Sequence, residues 1–171
     1  MTLYTDTFET TFGLFSAAVD DNSAVVATAF GDATVLRSRL SNAEDIRWQR
    51  DPERTGAVRA QVEAFANGAL DRFTLPLQPI GSAFQQSVWR ALLEIPCGET
   101  RSYADLARRI GTAPRAVGQA NARNPICLVV PCHRVVGASG ALTGFAFGTP
   151  LKEQLIAHER RMVAIRKPAL A

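Results

Sequence analysis

The pattern of apolar and polar positions changes character about halfway along the chain. Residues 12–19, F-G-L-F-S-A-A-V, and 24–30, A-V-V-A-T-A-F, flank the turn-rich Asp20-Asp21-Asn22-Ser23, which predicts a β-hairpin. Val35 to Leu40 predicts a further strand, and the polar stretch 41–54 predicts loop or irregular structure. From Thr55 to Leu70, Val58, Val62 and Phe65 recur at helical spacing and Asn67-Gly68 lie near the helix end. Pro76, Pro79 and Gly81 make 71–81 a linker. Beyond it the periodicity is helical. Ser82, with Gln85 three residues on, gives a capping-box pattern ahead of a stripe of Phe84, Val88, Ala91 and Leu92, which Ile95-Pro96-Cys97-Gly98 breaks. Ser102 with Asp105 opens a second helix with Tyr103, Leu106, Ala107 and Ile110 on one face, and Gly111 closes it. Thr112-Ala113-Pro114 opens a third, running to about Ala122. Ile126 to Val130 reads as a buried strand. Residues 137–148 read as a Gly-rich loop interrupted by Phe145 and Phe147. Thr149-Pro150 starts a last helix to about Arg161, with Leu151, Leu155 and Ile156 facing the core, and the residues after Met162 read as a loose tail.

Two short helices joined through Gly111 make a helix-turn-helix candidate, in which the third helix is the one presented to DNA through Arg115, Gln119 and Arg123. Such pairs also occur in proteins that bind no nucleic acid. Charge tilts the balance toward DNA. The net charge is +3, but residues 1–84 carry a net −4 and residues 85–171 a net +7, so the C-terminal half suits a polyanion. Apolar content of 47% and charged content of 20% describe a globular chain, and no apolar run approaches the roughly 18 residues of a membrane span. The N-terminus shows no basic-then-apolar secretory pattern. Three cysteines, an odd count, argue for reduced thiols in a cytoplasm rather than a disulfide framework.

The candidate chemistry lies in V-V-P-C-H-R-V-V at 129–136. A thiol beside an imidazole and a guanidinium suits a depressed thiol pKa, because the thiolate is the nucleophile and cations favour it. A buried structural Cys132 with two solvated neighbours is the plainer reading. Glu159 sits late in the last helix, where the macrodipole does not favour a carboxylate, and reads as a solvated charge. The first 70 or so residues carry no identifiable chemistry and read as support.

With these pieces in order, the chain resembles the O6-alkylguanine-DNA alkyltransferases, the methylated-DNA–protein-cysteine methyltransferases. The resemblance rests on I-P-C-G-E-T-R-S-Y at 95–103, R-A-V-G at 115–118, N-P at 124–125, P-C-H-R-V at 131–135, L-T-G-F at 142–145 and L-x-x-H-E at 155–159. It implies an α/β (α+β) protein with a small N-terminal antiparallel-sheet, ribonuclease H-like domain at 1–78. A mostly helical domain with a winged helix-turn-helix-like DNA-binding motif would occupy 79–165, and a loose tail 166–171. It implies that Cys132 takes the alkyl group from guanine O6, and from O4-alkylthymine, in an irreversible step that each molecule performs once. His133 would act as water-mediated base, held by Glu159, and Asn124 would brace the recognition helix against the active-site segment. Arg115 would fill the gap left by a base flipped through the minor groove, with Tyr103, Ala116 and Gln119 beside the DNA. Val135, Phe145, Ala146 and Phe147 would line the alkylguanine pocket. The implied partner is duplex DNA carrying O6-alkylguanine, engaged by a monomer, with no cofactor, no metal and no membrane; cooperativity along DNA stays open.

Three departures from the family pattern matter. Phe145 stands where a tyrosine is common, Phe147 where glycine is frequent, and Cys127 where some members have proline. Phe145 keeps the apolar wall for the alkyl group and loses a hydroxyl, while the bulk of Phe147 predicts a narrowed pocket, good with methyl lesions and poor with benzyl adducts. Rival readings are a non-catalytic alkyltransferase-like lesion binder, in which tryptophan replaces the nucleophile, a zinc site built from Cys97, Cys127, Cys132 and His133, and a cysteine hydrolase. The retained Cys132 favours catalysis, and the cysteine spacings lack a structural-zinc pattern. The role of Arg134 stays open between DNA contact and support.

Overall fold

The computed structural model describes residues 1–166, which fall into two compact units. The first comprises residues 1–82 together with 123–129, and the second residues 83–122 together with those from 130 onward. The division of the sequence at 78/79 into two continuous pieces therefore differs from the packing. Residues 123–129 belong with the first unit because their backbone bonds to it: Thr28 N–H donates to Pro125 O at 2.9 Å, and Thr28 Oγ1 to Cys127 O at 2.7 Å.

The first unit is built on β1 (Thr2–Thr10), β2 (Gly13–Val19) and β3 (Val25–Phe30), an antiparallel meander. The β2–β3 hairpin forms where the turn residues predict it, with the Asp20 carboxylate accepting from the N–H groups of Asn22 and Ala24. Val35–Leu40 does not form a strand. Asp32 accepts from Thr34 and Val35 N–H and caps a short helix, α1 (Ala33–Arg37), so local capping outweighs the β-branched residue that suggested extension. Within the polar stretch 41–54, Arg47–Arg50 forms β4, which pairs in parallel with β1. The sheet order is β3-β2-β1-β4, so the sheet is mixed rather than antiparallel throughout. Helix α2 (Gly56–Ala66) follows, burying Val58, Val62 and Phe65. The core is aromatic, with Phe15 packed edge-on to Phe30 at 5.1 Å between centroids and tilted against Phe8 at 5.7 Å.

The expected strand at 126–130 is absent. Ile126 makes a single parallel bridge with Thr28, and Leu128 takes a left-handed φ of 70°, which ends any ladder. The apolar run signals burial correctly, but here burial comes with a turn.

The second unit begins with α3 (Ala83–Leu93). Its buried face is Val88, Trp89, Ala91 and Leu92, while Phe84, expected in the stripe, is exposed. Trp89 Nε1 donates to Ala120 O at 2.9 Å and has a buried polar partner as well as a buried ring. A two-residue strand, β5 (Arg101–Ser102), leads into α4 (Tyr103–Ile110), where Ser102 and Asp105 complete a capping box and Gly111 takes the left-handed closing conformation. After it comes α5 (Pro114–Ala122), packed on α4 as a helix-turn-helix pair. A 3₁₀ turn at Cys132–Arg134 runs into β6 (Val135–Val136), parallel to β5.

The last helix, α6 (Thr149–Arg166), is longer than the sequence suggested. Met162 is buried and continues the inward face, so the helix persists to Arg166, where a tail was expected. The remainder of that tail lies outside the described residues. Lys152, Leu155, Ile156, Glu159 and Met162 share that face at i, i+3/i+4 and i+7 spacing. Among the described residues no helix is long and apolar enough to cross a membrane.

Candidate active site

The P-C-H-R segment is a 3₁₀ turn with a buried residue at every position: Cys132, His133 and Arg134 are 6%, 0% and 7% exposed. Three residues per turn send consecutive side chains roughly 120° apart, so one short turn aims three functional groups in three directions. The plainer readings of the sequence fail for His133, Arg134 and Glu159, none of which is solvated. Glu159 is 1% exposed, because α6 turns it inward with Leu155 and Ile156.

His133 Nε2 and Glu159 Oε1 lie 2.6 Å apart. The other side of the carboxylate is held by Arg134, whose Nε donates to Oε2 at 2.9 Å and whose Nη2 donates to Oε1 at 2.8 Å. This forked contact is the geometry in which guanidinium and carboxylate bond most strongly. Burial pushes the Glu159 carboxyl up, but the charges and hydrogen bonds of His133 and Arg134 outweigh it and hold the pKa at about 2.

An ionised carboxylate can only accept. The hydrogen between His133 and Glu159 therefore sits on Nε2, which leaves the lone pair of a neutral imidazole on Nδ1. Nδ1 is buried and has no hydrogen-bond partner among the described residues. The carboxylate thus fixes the tautomer of the imidazole, as in other carboxylate–histidine pairs.

Backbone groups complete the cradle. Arg134 Nη1 donates to Ile95 O at 2.7 Å, and Gly98 N–H approaches Glu159 Oε2 at 3.4 Å. The I-P-C-G segment, read from sequence as a helix breaker, holds the Glu159–Arg134 pair. Gly98 has a φ of +85°, and a Cβ there would meet Val163 Cγ2 at 2.7 Å. Asn121, which the sequence reading did not single out, is buried on α5 and donates through Nδ2 to Cys132 O at 3.2 Å. Asn124 is fully buried in the first unit. There its Oδ1 accepts from Ile126 N–H at 3.0 Å and its carbonyl from Arg39 Nη2 at 2.9 Å.

The remaining expected residues lie on α4, α5, β6 and the Gly-rich loop. Arg115 and Gln119 are exposed on α5 with Ala116 half-buried between them, and among the described residues Arg115 makes no ion pair. Arg108 and Arg109 on α4 are committed instead to Asp105 and Glu94. Tyr103 is half-buried, packed near Gly118 and Gly144, and its hydroxyl donates to Thr143 O at 3.2 Å. Burial raises its pKa. Val135 is buried in β6. Phe145 and Phe147 meet edge to face at 5.5 Å, both half-buried, with Ala146 exposed between them. Lys152, also unremarked in the sequence reading, is fully buried on α6. The signal that could have found it is its place on the apolar face, three residues before Leu155 and seven before Glu159. Among the described residues no group of three or more His, Cys, Asp or Glu side chains is arranged to hold a metal ion.

The chain is similar to known proteins in both sequence and structure. The sequence model described as "6-O-methylguanine DNA methyltransferase, DNA binding domain" matches residues 83–161. The methylated-DNA–protein-cysteine methyltransferase of Methanosarcina mazei is 52% identical over 111 residues, covering 64% of this chain and 70% of the relative. The enzyme of that name from Mycobacterium leprae is 43% identical over 137 residues, covering 74% and 83%. The crystal structure of the Mycobacterium tuberculosis O6-methylguanine methyltransferase superposes with a TM-score of 0.83 at 39% identity, covering 98% of this chain and 96% of that one. A crystal structure of the Mycobacterium tuberculosis protein in complex with DNA superposes with a TM-score of 0.81 at 38% identity, covering 93% and 94%. By the identity and coverage of these relatives, the chain belongs to the methylated-DNA–protein-cysteine methyltransferase family.

Proposed function

We propose that this protein repairs DNA by moving the alkyl group of O6-alkylguanine, chiefly methyl, and of O4-alkylthymine, from the duplex to Cys132. His133 Nδ1 takes the thiol proton, directly or through water, and the thiolate attacks the alkyl carbon. A sulfur–carbon bond forms as the carbon–O6 bond breaks. The electron pair stays on the base, which regains a proton to leave as guanine. Nothing in the site reverses a thioether, so each molecule acts once.

A base stacked in duplex cannot reach a buried thiol and must be flipped out, at a cost of a few kcal/mol. We assign Arg115 to the vacated stack, entering from the minor groove. Tyr103, Ala116 and Gln119 sit beside the extruded nucleotide, while Val135, Phe145, Ala146 and Phe147 line the pocket. Exposure of Arg115 and Gln119, with no ion pair on Arg115 among the described residues, supports the DNA-facing role of α5. Thiols that form no disulfide suit a reducing compartment, and cytoplasmic action by a monomer belongs to this reading.

The observation that carries the proposal is a buried thiol followed directly by a histidine whose Nε2 is committed to an ionised carboxylate. Incubating the protein with a duplex containing O6-methylguanine and weighing its peptides tests it. The Cys132 peptide should gain the mass of one CH₂, and Cys132→Ala should gain nothing. Tight duplex binding with an unchanged Cys132 peptide would overturn transfer in favour of a non-catalytic lesion binder.

A further inference from the structure

Asn121 lies on the buried side of α5, 3% exposed, and reaches the backbone of Cys132: its Nδ2 donates to Cys132 O at 3.2 Å. Cys132 O also accepts from Val135 N–H, the bond that closes the 3₁₀ turn. A backbone carbonyl has two lone pairs, so the protein itself takes both. A carbonyl only accepts, so the NH₂ end of the Asn121 amide must face it and the other end is Oδ1. Oδ1 is buried and has no hydrogen-bond partner among the described residues.

Tyr103 does not supply that partner. Burial raises the Tyr103 pKa, and a hydrogen bond with Asn121 acts to lower it. Lowering is what a donor does to a phenol, so this bond too belongs to the Nδ2 end. A buried amide oxygen left unpaired is costly and calls for an explanation. Oδ1 shares one carbon with the nitrogen that bonds Cys132 O, which keeps it beside the backbone of the residue assigned to receive the alkyl group.

The chemistry of the lesion supplies a matching donor. Alkylation at O6 leaves N1 of guanine without a hydrogen, N3 and N7 carry none, and N9 bears the sugar. The 2-amino group is the N–H donor that remains. O4-alkylthymine has none, because its N3 has lost its hydrogen and its oxygens only accept.

We propose that Asn121 is a specificity-determining residue: its Oδ1 accepts a hydrogen bond from the 2-amino group of the extruded O6-alkylguanine while its Nδ2 holds the Cys132 carbonyl. The assignment rests on the proposed transfer to Cys132. One planar amide then ties the base to the backbone of the acceptor. A lesion without the amine leaves Oδ1 buried and unpaired, so O6-alkylguanine is favoured over O4-alkylthymine.

The test uses two duplexes, one carrying O6-methylguanine and one carrying O6-methylhypoxanthine, which lacks only the 2-amino group. Single-turnover transfer and equilibrium binding are measured for both, in the unaltered protein and in Asn121→Leu, which keeps the side-chain size and accepts nothing. The unaltered protein should react roughly tenfold faster with the methylguanine duplex, the effect of leaving one buried acceptor unpaired. Asn121→Leu should shrink that ratio to about twofold or less, whatever it does to the absolute rates. Structural damage alone slows both reactions by the same factor, so an unchanged ratio in the folded variant overturns the proposal. Asn121→Ala makes the same comparison where leucine prevents folding. Equal rates on the two duplexes in the unaltered protein overturn the proposal without any variant. Binding separates this assignment from the transfer reading. If neither duplex alkylates Cys132, transfer is lost, yet an affinity preference for the amine that disappears in Asn121→Leu would still support Asn121 as its acceptor. Equal affinities in that case would overturn the assignment as well.

Discussion

At the scale of single residues, Glu159 is the pivot of the site because Arg134 and His133 both bond to its carboxylate. Its folded pKa of about 2 lies below the ordinary carboxylate value of 4.5. The stability it contributes is therefore complete above about pH 4.5 and is lost as the pH falls toward 2. Glu159→Gln should remove that acid-dependent loss and cost roughly 3–5 kcal/mol at neutral pH, since the Arg134 guanidinium would be left buried without its anion. Urea unfolding across a pH series checks this, and parallel curves for the two proteins would sink it. A second prediction concerns the pocket wall. If the edge-to-face pair of Phe145 and Phe147 narrows it, O6-benzylguanine should consume Cys132 much more slowly than a methylated duplex does. Phe147→Gly should then speed the benzyl reaction by roughly tenfold or more, within the range that steric fit usually supplies. Equal benzyl rates with and without the Phe147 ring would remove the narrowing argument. Of these residues, Cys132 and His133 were legible in the sequence as reactive types standing together. Arg134 was not, because an arginine's partner is set by packing between α6 and the 3₁₀ turn, and adjacency to a cysteine says nothing about it.

At the scale of elements, local chemistry was the most readable. The Ser102–Asp105 capping box, the left-handed Gly111 and the Asp20 turn are each specified within about five residues, and each forms as its residues predict. What failed depends on distant partners. β4 is a strand because it lies along β1, and the 126–130 run is no strand because Leu128 turns it. The Gly98 segment shows a motif whose role needed the fold to appear. Its N–H faces Glu159, its φ is +85°, and its missing side chain leaves room for Val163. Gly98→Ala meets backbone strain and a side-chain clash together, so it should cost roughly 2 kcal/mol or more and slow transfer by displacing Glu159. A folded Ala variant with unchanged stability and rate would show that the Glu159 cradle does not depend on this glycine.

At the scale of the whole molecule, the sequence places its positive charge in the C-terminal half, and on α4 and α5 only part of it is tied up in ion pairs among the described residues. Arg108 and Arg109 are paired with carboxylates, whereas the exposed Arg115 is not among the described ion pairs. If phosphate contacts dominate affinity, duplex binding should weaken steeply with salt. A flipping residue predicts something that a general cation does not. Arg115→Ala should slow transfer from an O6-methylguanine duplex by roughly tenfold or more, because holding a base out of the stack costs a few kcal/mol. Reaction of the same variant with free O6-methylguanine, which needs no flipping, should remain near that of the unaltered protein. Single-turnover rates on the two substrates decide between the roles. Equal losses on both would move Arg115 from base extrusion to support of the thiol, while a change in salt dependence alone would make it one more phosphate contact.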